Sequence, residues 1–154
     1  MDLIEELRLL LAEFERRNVE YALCGGLALA VHRLPRFTKD VDLLIPETSF
    51  SSAVGAAAAA GFDTHVDALR LPSAAGEITE IRRLNKFVDT NYLTLDLLLV
   101  SPAIADVWNT RQRFDFEGQT LWCVSRAGLM KLKRYAGRDQ DLVDIKLLEK
   151  PESK

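Results

Sequence analysis

Asp40 and Asp42 stand one residue apart at the head of an apolar run, Leu43-Leu44-Ile45. On a β-strand, residues i and i+2 share a face. The two carboxylates therefore project on one side, about 7 Å apart along the chain. Acids that close repel each other, and an apolar strand is a poor place to leave them unpaired. A divalent cation answers both problems. Mg²⁺ takes oxygen ligands, typically one or two carboxylates completed by water and substrate phosphate, and Mn²⁺ could stand in the same place. Upstream, the apolar Tyr21-Ala22-Leu23-Cys24 runs into Gly25-Gly26 and then a helical pattern from Leu27 to Arg33. A strand, two glycines and a helix let backbone N–H groups come close to a phosphate, and the helix start adds a favourable partial charge. Arg36 and Thr38 sit just before the acids. Each half has an ordinary explanation, a turn or a solvated acidic strand. Joined by one short helix, they describe a phosphate cradle beside a metal-binding carboxylate pair.

The segment from Gly25 to Pro46, with Gly25-Gly26 and Arg36-x-Thr38-Lys39-Asp40-Val41-Asp42-Leu43, resembles the DNA polymerase β-like nucleotidyltransferases. It is most similar to the minimal bacterial type related to toxin–antitoxin and abortive-infection modules. Where the commoner family form has Gly-Ser, this chain has Gly26-Leu27, which removes a hydroxyl that could contact a triphosphate. The resemblance implies that Asp40 and Asp42 bind metal and that Gly25 and Gly26 cradle the triphosphate. It also implies a third acid on a later strand. Asp96 fits that place, a lone carboxylate within Tyr92 to Val100, YLTLDLLLV. Its residues alone leave two readings open: an acid that meets an arginine, or a third metal-site carboxylate, which the resemblance favours. The run from Leu129 to Asp144 is similar to these small transferases as well. It makes Lys131 and Arg138 candidates to reach the nucleotide phosphates, alongside Arg33 and Arg36. An Arg138–Asp141 pair within one helix is the plainer alternative. His32 has no partner at metal-ligand spacing and reads as a partly buried helix residue.

The implied reaction is transfer of a nucleoside monophosphate from a nucleoside triphosphate. Asp40 and Asp42 would hold Mg²⁺ on the β- and γ-phosphates, and Asp96 would join them around a second ion. The acceptor stays open: a protein hydroxyl, for instance on a co-encoded protein, a tRNA end or a small molecule. A second reading is a non-catalytic module that keeps the fold and acts as an antitoxin or partner protein.

Composition bounds the setting. A chain of 154 residues suits one domain, here residues 1–150 with a frayed tail over 151–154. With 48% hydrophobic residues it can fill a core, and a net charge of −3 sets it apart from strongly basic nucleic-acid binders. Cys24 and Cys123 lie in apolar runs without zinc spacing, so buried thiols are expected. Acidic residues stand where a signal peptide would be basic, and no apolar run reaches the roughly 18 residues of a membrane span. A cytoplasmic location is the expectation, and the oligomeric state is open.

The elements that must position the site follow from periodicity. Asp2 caps a helix to about Arg17, with Leu3, Ile4, Leu7, Leu10, Leu11 and Phe14 on one face. Val19 to Cys24 is a strand, and a helix capped by Thr48 or Ser49 ends at Gly61. Short strands are expected near Ala68 to Leu71 and Ile78 to Leu84, with a turn-rich link from Asn85 to Asn91. A helix follows Pro102, and a hairpin turns at Glu117-Gly118 between Phe114 and Val124. Ser125 caps a helix over Arg126 to Ala136, and Asp139 caps a last one whose apolar face is Leu142, Ile145, Leu148 and Val143. The sum is an α/β fold: a mixed sheet of about five strands flanked by helices.

Overall fold

The computed structural model describes residues 2–34, 38–66, 69–72 and 78–150. Arg36 and the tail over 151–154 lie outside the described residues. Among the described residues, six α-helices surround one mixed sheet of eight strands, where about five are expected from the sequence pattern. The helices are α1 (Leu3–Arg16), α2 (Gly25–Val31), α3 (Phe50–Ala59), α4 (Ala105–Asn109), α5 (Arg126–Ala136) and α6 (Asp139–Glu149). The strands are β1 (Ala22–Cys24), β2 (Asp40–Ile45), β3 (Thr64–His65), β4 (Leu69–Pro72), β5 (Ile78–Val88), β6 (Asn91–Leu99), β7 (Gln112–Phe116) and β8 (Gln119–Cys123). Seven of them run in the order β3-β5-β6-β2-β1-β8-β7, with β4 paired to β5 off that path. No helix among the described residues is long and apolar enough to cross a membrane.

The centre of the sheet is the parallel pair β2–β6, in register from Asp40 opposite Thr94 to Ile45 opposite Leu99. Val41, Leu43, Leu95 and Leu97 alternate along these strands and are fully buried. That places Asp40, Asp42 and Asp96 together on the opposite side of the pleat. Strand β1 adds antiparallel to β2, and β8 adds parallel to β1. On the other side β5 pairs antiparallel with β6 from Ile81 to Val88, so the supposed link Asn85 to Asn91 is strand except for its tip. Cross-strand pairing overrides the polar composition there, as strand propensity alone does not.

Local signals account for the helix ends. Asp2 accepts from the N–H of Ile4 at 3.0 Å and starts α1. Ser125 accepts from the N–H of Gly128 at 2.9 Å and starts α5, which Gly137 ends in the left-handed region at φ 68°. Glu117 and Gly118 both have positive φ, the geometry of a two-residue hairpin turn. Three expectations shift. Helix α2 begins at Gly25 itself and ends at Val31. The start of α6 is capped by Asp141 reaching back to the N–H of Arg138 at 3.1 Å, not by Asp139. Leu142 and Val143 are more than half exposed, because α6 turns Asp141, Asp144, Ile145 and Leu148 inward instead.

Candidate active site

A row of four residues crosses four neighbouring strands. Cys24 on β1 is opposite Asp42 on β2, Asp42 is opposite Asp96 on β6, and Asp96 is opposite Arg83 on β5. Neighbouring strands lie about 4.8 Å apart, so the sheet's register alone brings Asp42 and Asp96 side by side. Asp40, two residues before Asp42, sits opposite Thr94 at the more exposed end of the same face. Asp96, distant in sequence, thus joins Asp40 and Asp42 in one cluster at the start of β2.

The glycine pair is shaped around that cluster. Gly25 has φ +70°, where L side chains are strained, and an added Cβ would fall on the Asp42 carboxylate, 2.9 Å from its Cγ. Gly26 has no such φ. An added Cβ would press on Thr38, 3.0 Å from its Cβ and 3.1 Å from its Oγ1. Thr38 Oγ1 in turn accepts from the N–H of Asp40 at 3.3 Å. The turn and the carboxylate strand are therefore fitted to each other: one glycine leaves room for Asp42, the next for the threonine that braces Asp40.

The acids are not neutralised evenly. Burial, then the charges of Asp96 and Asp40, push the Asp42 carboxyl up to about 7, against the opposing pull of Lys133 and Arg138. Burial and Asp96 also raise Asp40. Asp96 itself is held by Arg83, whose Nε donates to Oδ1 at 2.9 Å and Nη2 to Oδ2 at 3.0 Å. Of the two readings open for Asp96, the contact with an arginine is present, and so is the place beside the other acids. Cys24 is buried, and its thiol is pushed well above its ordinary value, chiefly by burial. It is no candidate nucleophile.

The helical side of the site comes from α5 and α6. Lys133 is buried, with its Nζ 2.9 Å from Asp144 and 3.4 Å from Asp141. Arg138 Nε donates to Asp141 at 2.8 Å, the intrahelical pair that the sequence offered as its plainer role. Its charge still reaches Asp42. Lys131 points elsewhere, to Asp106 on α4 at 2.7 Å, and both partners are largely exposed. Sequence reasoning chose Lys131 and passed over Lys133. The signal was available, since Lys133 lies four residues after the buried Leu129 on the inward stripe of α5. Arg83 was passed over too. His32 is buried, its Nε2 2.8 Å from the carbonyl of Val124 and its ring edge-on to Phe114, which accounts for it without a metal.

Among the described residues, no three acidic, histidine or cysteine side chains converge as a ready-made metal cage. The donors that remain free to turn toward an ion are the oxygens of Asp40 and Asp42, while both oxygens of Asp96 are taken by Arg83. Two hard carboxylate ligands beside an open glycine turn are the donor set that Mg²⁺ or Mn²⁺ accepts.

Several solved structures share this architecture. A candidate nucleotidyltransferase from Thermotoga maritima superposes with a TM-score of 0.64 at 14% identity, over 96% of this chain and 94% of that one. A lincosamide antibiotic adenylyltransferase with lincomycin bound gives 0.61 at 17%, over 94% and 95%. ANT(2″)-Ia in complex with adenylyl-2″-tobramycin gives 0.55 at 14%, over 94% and 86%. At such identities the likeness establishes the fold. No curated protein matches the sequence. The family described as the nucleotidyl transferase AbiEii toxin of type IV toxin–antitoxin systems matches residues 8–133, a span that holds Gly25, Gly26, Asp40, Asp42, Asp96 and Lys133. With well over half of its length matched, and with the glycine turn and carboxylate strand packed against each other, this chain is a nucleotidyltransferase and belongs to the AbiEii toxin family.

Proposed function

We propose that the protein moves a nucleoside monophosphate from a nucleoside triphosphate to an acceptor hydroxyl, in a reaction that requires Mg²⁺ or Mn²⁺ held by Asp40 and Asp42. The observation that carries this reading is Asp42, packed against Gly25 and flanked by Asp40 and Asp96, with its carboxyl pushed up to about 7 by burial and by those two like charges. A divalent ion bound there would neutralise phosphate charge and stabilise the entering and leaving oxygens of an in-line displacement. The chain's own residues do the rest. Gly25 and Gly26 let Asp42 and Thr38 pack close against the start of α2, which keeps the carboxylates beside the backbone where the triphosphate would lie. Lys133 and Arg138 hold positive charge within electrostatic reach of Asp42 and favour the anionic substrate over an empty site. Thr38 fixes the start of β2, so that Asp40 and Asp42 keep their spacing.

For the acceptor we favour a macromolecular hydroxyl, on a co-encoded protein or a tRNA end, because the matched family consists of toxins. The test is transfer of label from each of the four α-³²P-labelled triphosphates, with Mg²⁺, Mn²⁺ or EDTA, to total tRNA, to a co-encoded protein and to the protein itself. Label that appears only with a divalent ion, and vanishes in Asp42→Asn, supports the proposal. Equal triphosphate affinity in EDTA would sink the metal-site reading. Metal-dependent binding with no transfer to any acceptor would favour the non-catalytic module, a reading in keeping with the apolar Leu27 where the commoner family form has serine.

A further inference from the structure

Arg83 is set against Asp96 by register rather than by packing. The two are opposite each other in the β5–β6 pairing, and the guanidinium engages both carboxylate oxygens. The arginine side chain is 36% exposed while that of Asp96 is 9% exposed. Its neighbour Arg82 projects to the other face, over the ring of Phe50. Arg83 therefore lodges a positive charge within the acid cluster while its own side chain stays partly exposed to solvent.

The bidentate guanidinium takes one lone pair on each Asp96 oxygen and sets a full positive charge beside them, so a metal ion would meet a carboxylate already neutralised. Arginine cannot be discharged at any accessible pH. Freeing Asp96 thus requires the side chain to move. The planar fork that matches a carboxylate also matches phosphate, so a triphosphate gives Arg83 somewhere to go.

We propose that Arg83 is a positioning residue that occupies Asp96 in the free enzyme and releases it when a metal–nucleotide complex enters, carrying its guanidinium from the carboxylate to the phosphates. The inference rests on the nucleotidyltransferase site described above and deepens it. It couples the charge of Asp96 to the arrival of the substrate. The ion is admitted with its substrate.

The test is a titration of the free, full-length protein with Mn²⁺ alone, read by calorimetry or by the loss of the free-ion paramagnetic signal. Arg83→Gln should bind Mn²⁺ about tenfold or more tighter than wild type, since a unit positive charge leaves the cluster and a carboxylate becomes available. Arg83→Lys keeps the charge but loses the fork, and should fall in between. Arg83→Gln combined with Asp96→Asn should lose the gain. A second titration, with each Mg²⁺–triphosphate, should show weaker binding in Arg83→Gln. If Arg83→Gln is poorly folded on its own, Mn²⁺ should raise its melting temperature by more than it raises that of wild type. Unchanged or weaker Mn²⁺ binding in Arg83→Gln and Arg83→Lys, with normal Mg²⁺–triphosphate binding by wild type, would overturn the role of Arg83 alone. If wild type binds no Mg²⁺–triphosphate, the site reading fails and this inference fails with it.

Discussion

Two clusters of charge lie within electrostatic reach of one another in this protein, and they are built differently. At the α5–α6 packing, Lys133 and Arg138 meet Asp141 and Asp144, and Arg138 holds the Asp141 carboxyl below its ordinary value although burial works the other way. On the sheet, among the described residues, Arg83 holds Asp96 while burial and the charges of Asp96 and Asp40 lift Asp42 to about 7. Asp141 and Asp144 in one cluster and Asp96 in the other are buried, where an unpaired charge is costly. One is satisfied by its own side chains and needs nothing further. Among the described residues, the other leaves the Asp42 carboxyl raised to about 7. Satisfaction marks a structural network, and a standing deficit marks a place for a ligand.

The sharpest way to break that contrast is Asp42→Asn. Transfer should fall by roughly a hundredfold or more, as when a group that organises transition-state charge is removed. Stability should move the other way. The folded Asp42 carboxyl sits at about 7, above the 3.8 of the free group. Its contribution is fully present below about pH 4 and is lost as pH rises through 7, because the charged form is the disfavoured one. Without divalent ions, Asp42→Asn should thus match wild type near pH 4 and melt higher at pH 8, by roughly 1–3 kcal/mol once solvent screening is allowed for. Mg²⁺ should narrow that gap by stabilising wild type only. Thermal melts across pH, with and without Mg²⁺, decide it. A gap that does not depend on pH would show that Asp42 is as well compensated as Asp141.

Lys133→Met tests the satisfied cluster. Removing the ammonium 2.9 Å from Asp144 breaks a buried pair, and such losses cost about 3–5 kcal/mol. Denaturant unfolding should show the loss at neutral pH with or without Mg²⁺. A stable variant that cannot bind triphosphate would move Lys133 from the structural network to the site.

Gly26→Ala has a smaller effect and sharpens the reading of the turn. Its φ carries no strain, and Thr38 must give by a few tenths of an ångström. Stability should fall by about 1 kcal/mol, while triphosphate affinity measured well below the melting transition falls more steeply. A large drop in melting temperature with unchanged affinity would make the glycine pair an ordinary turn. Smallest of all is Lys131→Ala. Its partner Asp106 is exposed, and an exposed pair contributes little. Both melting temperature and transfer should stay at wild-type values, and a loss of transfer would return Lys131 to the site.

The local chemistry was legible in the chain. Asp40-Val41-Asp42 ahead of an apolar run specifies a strand with two carboxylates on one face, and Gly25-Gly26 after another apolar run specifies the turn. The caps at Asp2 and Ser125 and the stop at Gly137 also follow from nearest neighbours, because each is satisfied by a backbone group within a few residues. Such features depend on separations that the sequence displays directly.

What the tertiary structure alone decided is which distant residues share the site. Arg82 and Arg83 are equivalent in sequence, and only the β5–β6 register puts Arg83 on the carboxylates and Arg82 over Phe50, since a one-residue slip exchanges the faces. The choice between Lys131 and Lys133 likewise rests on which side of α5 is covered by α6. Likewise, Asp96 became both a neighbour of Asp42 and a partner of Arg83 through two strand pairings set by long-range packing. The sequence by itself determined the groups that can bind phosphate and metal. The sheet register decided how their charges add, because electrostatic energy depends on distances between strands that lie far apart along the chain.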